Sequence, residues 1–359
     1  MRRTALIALL ALLLAGVWLW IALWVPYQGY SPGGVFVEIP RGTSAGSIAR
    51  ILAEKGVVRS RVAFEALCRW RSRQALLAGE YFFDRPMTAL EVFRIVAEGR
   101  VYFHTLTVPE GLTMFDIAEL MERQELCRRE EFLAAARDPS PIRDLATGAR
   151  NLEGFLFPAT YQFRRHVTAQ EIIQAMVRRF QELWDSLPER GRNPYGLSVG
   201  EVVTMASLVE GETGVRDERP IIAGVFYNRL RRGRALQCDP TVIYALRLAN
   251  RYDGTLSKRD LVLDSPYNTY RFPGLPPGPI NNPGEASLRA ALFPPYVDYL
   301  YFVSNTQGGH FFSKTLAEHN SNVARYKRLL AELAQTPESG GDKLDDTRQE
   351  KSPKAKSPR

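Results

Sequence analysis

The sequence predicts an α+β protein: a single N-terminal transmembrane helix, a small strand–helix module, then a larger mixed α/β domain. Three observations predict it. Residues 5–25 carry no charge. A strand–turn–helix pattern then repeats at an offset of 69 residues. Beyond residue 140, amphipathic segments alternate with loops rich in Pro, Gly, Asn and Tyr.

The charge-free segment would span about 32 Å as a helix, against a hydrocarbon core of about 30 Å. Arg2 and Arg3 precede it, so the positive-inside rule keeps residues 1–4 cytoplasmic and exports the chain after Pro26. Trp18, Trp20 and Trp24 lie toward its outer end, as an interfacial belt would. A cleaved signal peptide needs a shorter apolar core followed by small residues, and residues 19–26 offer no such site. The expectation is an uncleaved anchor in the plasma (inner) membrane, with everything else on its extracytoplasmic, periplasmic side. Three cysteines (Cys68, Cys127, Cys238) form no disulfide framework and fit no metal spacing. The net charge of +8 suits an anionic surface or polymer, but no clustered basic stripe argues for nucleic acid. His310 and His319, with Glu318 adjacent, lack a third ligand at a recognised spacing, so neither metal nor cofactor is expected. Ser207 has no glycine elbow around it, which argues against a Ser–His–Asp arrangement.

The repeat comes next. Val37 to Gly42 leads to Ile48-Ala49, and Leu106 to Gly111 leads to Ile117-Ala118. Each copy reads as a short strand, a Pro/Gly turn, a capping Ser or Thr, then an amphipathic helix. Gly79 to Phe83, followed by Thr88 and residues 90–96, is a looser third version. Such units resemble the LysM-like module of cell-wall proteins, and residues 26–100 are assigned to one, acting as a spacer with weak glycan binding. Residues 101–335 follow as the catalytic domain. Within it, helices are expected at residues 168–187, around 204–213, at 219–232 and from about Thr241, with Asp239 as a possible cap. A strand at 299–303, a return at 308–312 and a last helix from 313 to 334 complete it. Residues 336–359 are Lys-, Ser-, Asp- and Pro-rich and read as a disordered tail.

The chemistry centres on TMASLVEGET, residues 204–213. On a helical wheel Val202, Met205, Ala206 and Val209 share one side, with Leu208 at its edge. Glu212 lies beside Met205, Leu208 and Val209, whereas Glu210 points about 200° away. A carboxyl against bulky apolar groups loses solvation and holds its proton toward neutrality. Glycosidic cleavage needs such an acid to protonate the departing sugar oxygen. The bland alternative is two solvated glutamates at a fraying helix end.

TMASLVEGET, ERPIIAGVFYNRLRRGRALQCDPTVIYAL, YNTYRFPGLPPGPINNPG, YLYFV and GGHFF together resemble the endolytic murein transglycosylase (YceG-like) family, over residues 36–326. The resemblance implies a YceG-like catalytic domain that cleaves the MurNAc–GlcNAc bond of peptidoglycan glycan strands without water. The muramic acid 6-hydroxyl attacks its own anomeric carbon and leaves a 1,6-anhydroMurNAc end. It also implies strand termination beside penicillin-binding proteins and other wall-synthesis proteins. The family's catalytic glutamate falls on Glu212, with Glu210 as the fallback. Glu153, Gln237, Asp239, Asn268, Tyr270 and Asn320 are candidates for binding substrate, Glu153 from a position opposite Glu212. Each could instead brace its own loop. Cys238 stands where the family usually has threonine, and Ala159 where an acidic residue is common; neither is expected to bear on the acid. Two other classes stay open: a hydrolytic muramidase, and a non-catalytic glycan-binding scaffold for wall synthases.

Overall fold

A computed structural model describes residues 2–335 except 72, 189–192 and 194. The predicted tail at 336–359 lies outside the described residues. In chain order the elements are α1 (Arg2–Trp24), β1 (Val35–Ile39), α2 (Ala45–Glu54), α3 (Arg61–Trp70), β2 (Gly79–Phe83), α4 (Ala89–Ala97), β3 (His104–Thr107), α5 (Met114–Arg123) and α6 (Arg129–Ala136). Then follow β4 (Thr160–Phe163), α7 (Ala169–Ser186), α8 (Val199–Glu212), α9 (Arg219–Arg231), α10 (Asp239–Leu248), α11 (Glu285–Leu292), β5 (Tyr301–Ser304), β6 (His310–Ser313) and α12 (Leu316–Gln335).

The three copies of the repeat each form a strand and a helix, as β1–α2, β3–α5 and β2–α4. Local chemistry explains it. Gly42 and Gly111 close the first two turns at φ +80° and +79°, a conformation that costs glycine nothing. Ser44 caps α2 by accepting from the Ser47 N–H at 3.3 Å. Thr88 and Glu91 form a reciprocal capping box on α4. Thr168 and Glu171 do the same at the start of α7, where Thr168 was the expected cap. The strands pair only in twos: β1 with β2, β3 with β4 and β5 with β6, all antiparallel. The expected mixed α/β domain is therefore helices with two-stranded ribbons, and α+β describes it.

The chain divides into two compact units. One gathers the chain up to Val108 with Leu120–Glu131 and Ala159–Ile172; the other gathers Pro109–Glu119, Phe132–Pro158 and the chain from Ile173 onward. In the first, Phe64, Tyr81, Phe83 and Phe93 are fully buried, each contributing about 1.5–3 kcal/mol. The end of α1 joins that core, with Ala22 buried and Leu23 packed against it. The rest of α1 is exposed and apolar, and it alone among the described helices is long and apolar enough to cross a membrane.

The second unit is built around α8, which packs against α11 and α9. Ser198 and Glu201 cap its start reciprocally. Every residue from Val202 to Val209 is buried, so α8 is enclosed on all sides instead of amphipathic. The reason is the loop before α11. Ile280 donates its N–H to Ser207 Oγ at 3.1 Å, and Asn281 Nδ2 donates to the Ser207 carbonyl at 2.9 Å. That Pro/Gly-rich loop thus covers the face of α8 that the wheel assigns to solvent.

Candidate active site

Glu210 and Glu212 sit in the last turn of α8 and diverge as the wheel requires. Glu210 turns into an ion pair: Oε1 accepts from Arg219 Nη2 at 2.7 Å and Oε2 from the Gly284 N–H at 3.0 Å. Arg219 also bonds Glu110 at 3.1 Å. Burial first, with a smaller push from the Glu110 charge, raises the Glu210 carboxyl, while the Gly284 N–H, Ser287 and Arg219 hold it back. Its partners mark it as a strut between α8, α9 and α11.

Glu212 is different. The residue keeps part of its surface accessible, yet its carboxyl is surrounded closely enough that desolvation raises its pKa to about 7. Three neighbours modulate it: the Cys238 thiol as a hydrogen-bond donor and the Arg229 guanidinium favour the carboxylate, whereas the Asp239 charge favours the acid. Gly211, between the two glutamates, makes this closeness possible. A Cβ there would lie 2.9 Å from the Pro240 Cβ, so any side chain would push the start of α10 away.

The segment 237–239 is held over Glu212 by its own bonding. Gln237 adopts φ +51°, in the left-handed region that side chains rarely occupy. Its N–H donates to the Thr269 carbonyl at 3.1 Å, and the Cys238 N–H donates to Thr269 Oγ1 at 3.0 Å. Thr241 Oγ1 donates to the Cys238 carbonyl at 2.6 Å. This alternation buries Cys238 and leaves Gln237 and Asp239 exposed on either side of it. Asp239 accepts from the Tyr270 hydroxyl and makes no capping bond to α10, which corrects its expected role as a cap. Burial first, and the Asp239 bond second, raise the Tyr270 phenol.

Arg229 closes the site from below. Nε donates to the Leu300 carbonyl at 2.7 Å and Nη1 to the Leu236 carbonyl at 2.6 Å, with the guanidinium 5.5 Å from the Tyr301 ring centroid. His319 stacks on the Tyr301 ring with centroids 5.1 Å apart. Beyond Glu212, Glu218 Oε2 accepts from Thr213 Oγ1 at 3.4 Å and lies 2.7 Å from His310 Nδ1.

Of the candidate residues, Asp239 and Tyr270 therefore lie near enough to interact with Glu212, and Gln237 directly precedes the Cys238 that bonds it. The others have other surroundings. Asn268 is fully buried and spends its amide on the carbonyls of Leu261 and Leu263, at 3.0 and 2.8 Å. Asn320 is exposed on α12, outside this bonded cluster. Glu153 is 1% exposed and accepts from the Met114 N–H at 2.9 Å and Asn282 Nδ2 at 2.9 Å. It braces the start of α5 and the Asn282 amide, and its neighbours bury it completely. Two cavities of the same unit, about 190 Å³ beside Pro276–Pro279 and about 270 Å³ beside Trp184, are not lined by Glu212 either. Sequence reasoning missed Arg229 and Cys238. An arginine inside the apolar run of α9 was one available signal; the thiol gave none, and the expectation that Cys238 does not bear on the acid is corrected here.

Burial raises the Glu153 pKa to about 8. A carboxyl whose folded pKa exceeds its unfolded value of about 4.3 stabilises the fold below that value and loses the effect as pH rises through about 8. Glu212 acts in the same direction. Thermal unfolding between pH 5 and 9 should therefore show Tm falling with pH in the wild type and falling less in Glu153→Gln, which keeps an acceptor oxygen for Met114 and Asn282. Parallel curves would show that Glu153 is not the titrating group.

A carboxyl that retains its proton near neutrality at an accessible helix end is what a general acid–base enzyme requires, and an α+β chain carrying it on a buried helix is the class this fold and site define. The YceG-like family profile matches residues 37–325, and the chain belongs to that family. It is 35% identical over 320 residues to an endolytic murein transglycosylase of Bacillus subtilis strain 168, covering 84% of this chain and 87% of that protein. An endolytic murein transglycosylase of Streptococcus pneumoniae serotype 2 is 30% identical over 347 residues, covering 84% of this chain and 60% of its own length. A crystal structure of a YceG-like protein from Listeria monocytogenes superposes with a TM-score of 0.55 at 36% identity, over 81% of this chain and 99% of that one.

Proposed function

We propose that this chain is a membrane-anchored endolytic lytic transglycosylase of peptidoglycan, with Glu212 as its single acid and base. The observation that carries the reading is the enclosed Glu212 carboxyl, protonatable near neutrality, at the end of α8 beside an accessible surface. Protonated Glu212 gives its proton to the glycosidic oxygen as the bond from the MurNAc anomeric carbon breaks. The carboxylate then takes the proton of the MurNAc 6-hydroxyl as that oxygen bonds to the same carbon. The acid is regenerated and no water is consumed. Because the nucleophile belongs to the substrate, proximity replaces activation of a solvent molecule.

Asp239 and Tyr270, near the acid, and Gln237, next to Cys238, are assigned to the sugar, through amide and carboxylate bonds to hydroxyls and ring stacking. Glu153 and Asn268 are assigned to bracing. α1 is the anchor in the plasma (inner) membrane, with the chain after Pro26 on the extracytoplasmic side. Residues 26–100, which hold β1, α2, α3, β2 and α4, are assigned as the LysM-like part. Termination of new strands beside wall-synthesis proteins completes the reading. Asp239, near enough for its charge to act on Glu212, favours a second reading, hydrolysis with Asp239 aiding the water. Mass spectrometry of strands digested by purified protein distinguishes them. Ends lighter by one water than a hydrolysed end support transglycosylation, and only hydrolysed ends would overturn it.

The rate should fall as pH rises through about 7, because the leaving oxygen then finds a carboxylate. Cys238→Ala removes a donor that favours the carboxylate, so the descending limb should move to higher pH. Cys238→Ser keeps a donor and should restore the limb. A limb unmoved by Cys238→Ala would take the thiol out of the site's proton balance.

A further inference from the structure

The exposed face of α3 is apolar and basic together. Val62, 67% exposed, and Trp70, 72% exposed, lie on one side of the helix with Ala66 between them at four-residue spacing. Arg69 borders this stripe, and the Arg71 guanidinium sits 5.1 Å from the Trp70 ring centroid. The opposite side, with Phe64 and Leu67, is spent on the core. Exposed tryptophan and valine in one stripe mark a surface that something apolar covers.

The same unit says what covers it. α3 packs against α1, among the described helices the one long and apolar enough to cross a membrane. The two are joined at their near ends: the Arg59 guanidinium, two residues before α3, lies 4.7 Å over the ring of Tyr27, three residues after α1. Tyr27 is bridged to Met87 in both directions, by N–H···O contacts of 2.9 and 3.2 Å. No spacer therefore separates α1 from this unit. Trp18, Trp20 and Trp24 are exposed around that end of α1, the residues that a membrane–water boundary favours. A short helix with tryptophan and valine on one side and arginines at its rim has the make-up of an interfacial helix, whose guanidinium groups reach phosphate while its apolar groups enter the acyl boundary. Glu65 pairs with Arg61 and Arg69 at 4.0 and 2.8 Å and turns part of that charge inward; Arg71 stays on the tryptophan.

We propose that the Val62–Ala66–Trp70 face of α3, with its arginine rim, lies in the headgroup layer of the bilayer that α1 crosses and engages anionic phospholipid. The proposal rests on the reading of α1 as an anchor. It makes the unit a second foothold on the membrane surface, holding the chain at a fixed height over the bilayer.

The test uses the full chain in vesicles carrying brominated acyl chains, made either of phosphatidylglycerol with phosphatidylethanolamine or of phosphatidylcholine alone. Wild type, Trp70→Phe and Trp20→Phe are compared by tryptophan emission; both positions are exposed, so both variants should fold. Trp70→Phe should lose part of the bromolipid-quenched emission in anionic vesicles and less in phosphatidylcholine, while Trp20→Phe loses it in both. Loss in Trp20→Phe alone would overturn the proposal and leave the anchor standing. No loss in either variant would overturn the anchor and the proposal with it. Equal loss for Trp70→Phe in both lipids would overturn the role of anionic headgroups. Trp70 emission shielded from aqueous iodide but untouched by bromolipid would mean that protein covers the face, and would also overturn the proposal.

Discussion

Glu212→Gln is expected to stop glycan cleavage while leaving the fold in place. General acid–base catalysis by one positioned group contributes about 10²–10⁴-fold, and here the same carboxyl serves both the departure of one sugar and the ring closure of the other. Glutamine matches its shape and still accepts a hydrogen bond from Cys238, but has no proton to lend. The variant should be at least as stable as the wild type above pH 7, because the wild type then keeps a desolvated carboxylate at this position. Release of soluble glycan by purified protein, weighed by mass spectrometry beside a denaturant titration, checks both statements. Wild-type rates in the variant would remove Glu212 from the chemistry and return attention to Asp239, since Glu210 is held by Arg219.

Asn282→Ala should cause the largest loss of stability in the second unit. The side chain is fully buried and makes four bonds. Oδ1 accepts the N–H groups of Gly154 and Leu156, both at 2.9 Å, and Nδ2 donates to the Leu112 carbonyl and Glu153 Oε1, both at 2.9 Å. Alanine would orphan the buried N–H groups of Gly154 and Leu156, whereas the Leu112 carbonyl keeps the backbone N–H of residue 282 and Glu153 Oε1 keeps the Met114 N–H. Each orphan costs about 1–3 kcal/mol, and because they are neighbours the costs do not add in full. A loss of about 3–5 kcal/mol is expected, a large part of the 5–15 kcal/mol typical of a domain. Chemical denaturation gives the value directly. A change below about 1 kcal/mol would show that the surrounding loops find other partners.

These two residues also show what a sequence discloses and what it withholds. The repeat was legible because its causes are local: a Pro, a Gly at positive φ and a capping hydroxyl act within a few residues of themselves. Glu212 was legible because its apolar neighbours lie on its own helix, and the resemblance fell on the same residue. The enclosure of α8 was not, since its outer face is covered by Ile280 and Asn281, more than 70 positions along the chain. Cys238 reads as a small apolar residue until a turn held by Thr269 aims it at the carboxyl. Asn282 satisfies backbone groups 126 and 128 positions earlier, and no periodicity records such a debt. Glu153 was noticed for its charge, yet its partners are a helix start and a buried amide, so burial decides its role. Arg229 stands in the apolar run of α9, but only the carbonyls of Leu236 and Leu300, which lie outside that helix, explain why it is inside.

α8 stops at the acid itself. Its last residue is Glu212, with Thr213 already extended. The final turn of any α-helix leaves carbonyl oxygens without partners of their own, and the aligned peptide dipoles gather about half a negative charge there. That field repels a carboxylate and so reinforces the protonated resting form. A sugar ring losing its leaving group becomes cationic, and to it the same field is an attraction. The end of one helix can thus keep the acid loaded before the bond breaks and steady the oxocarbenium-like ring as it does, without recruiting a second carboxylate.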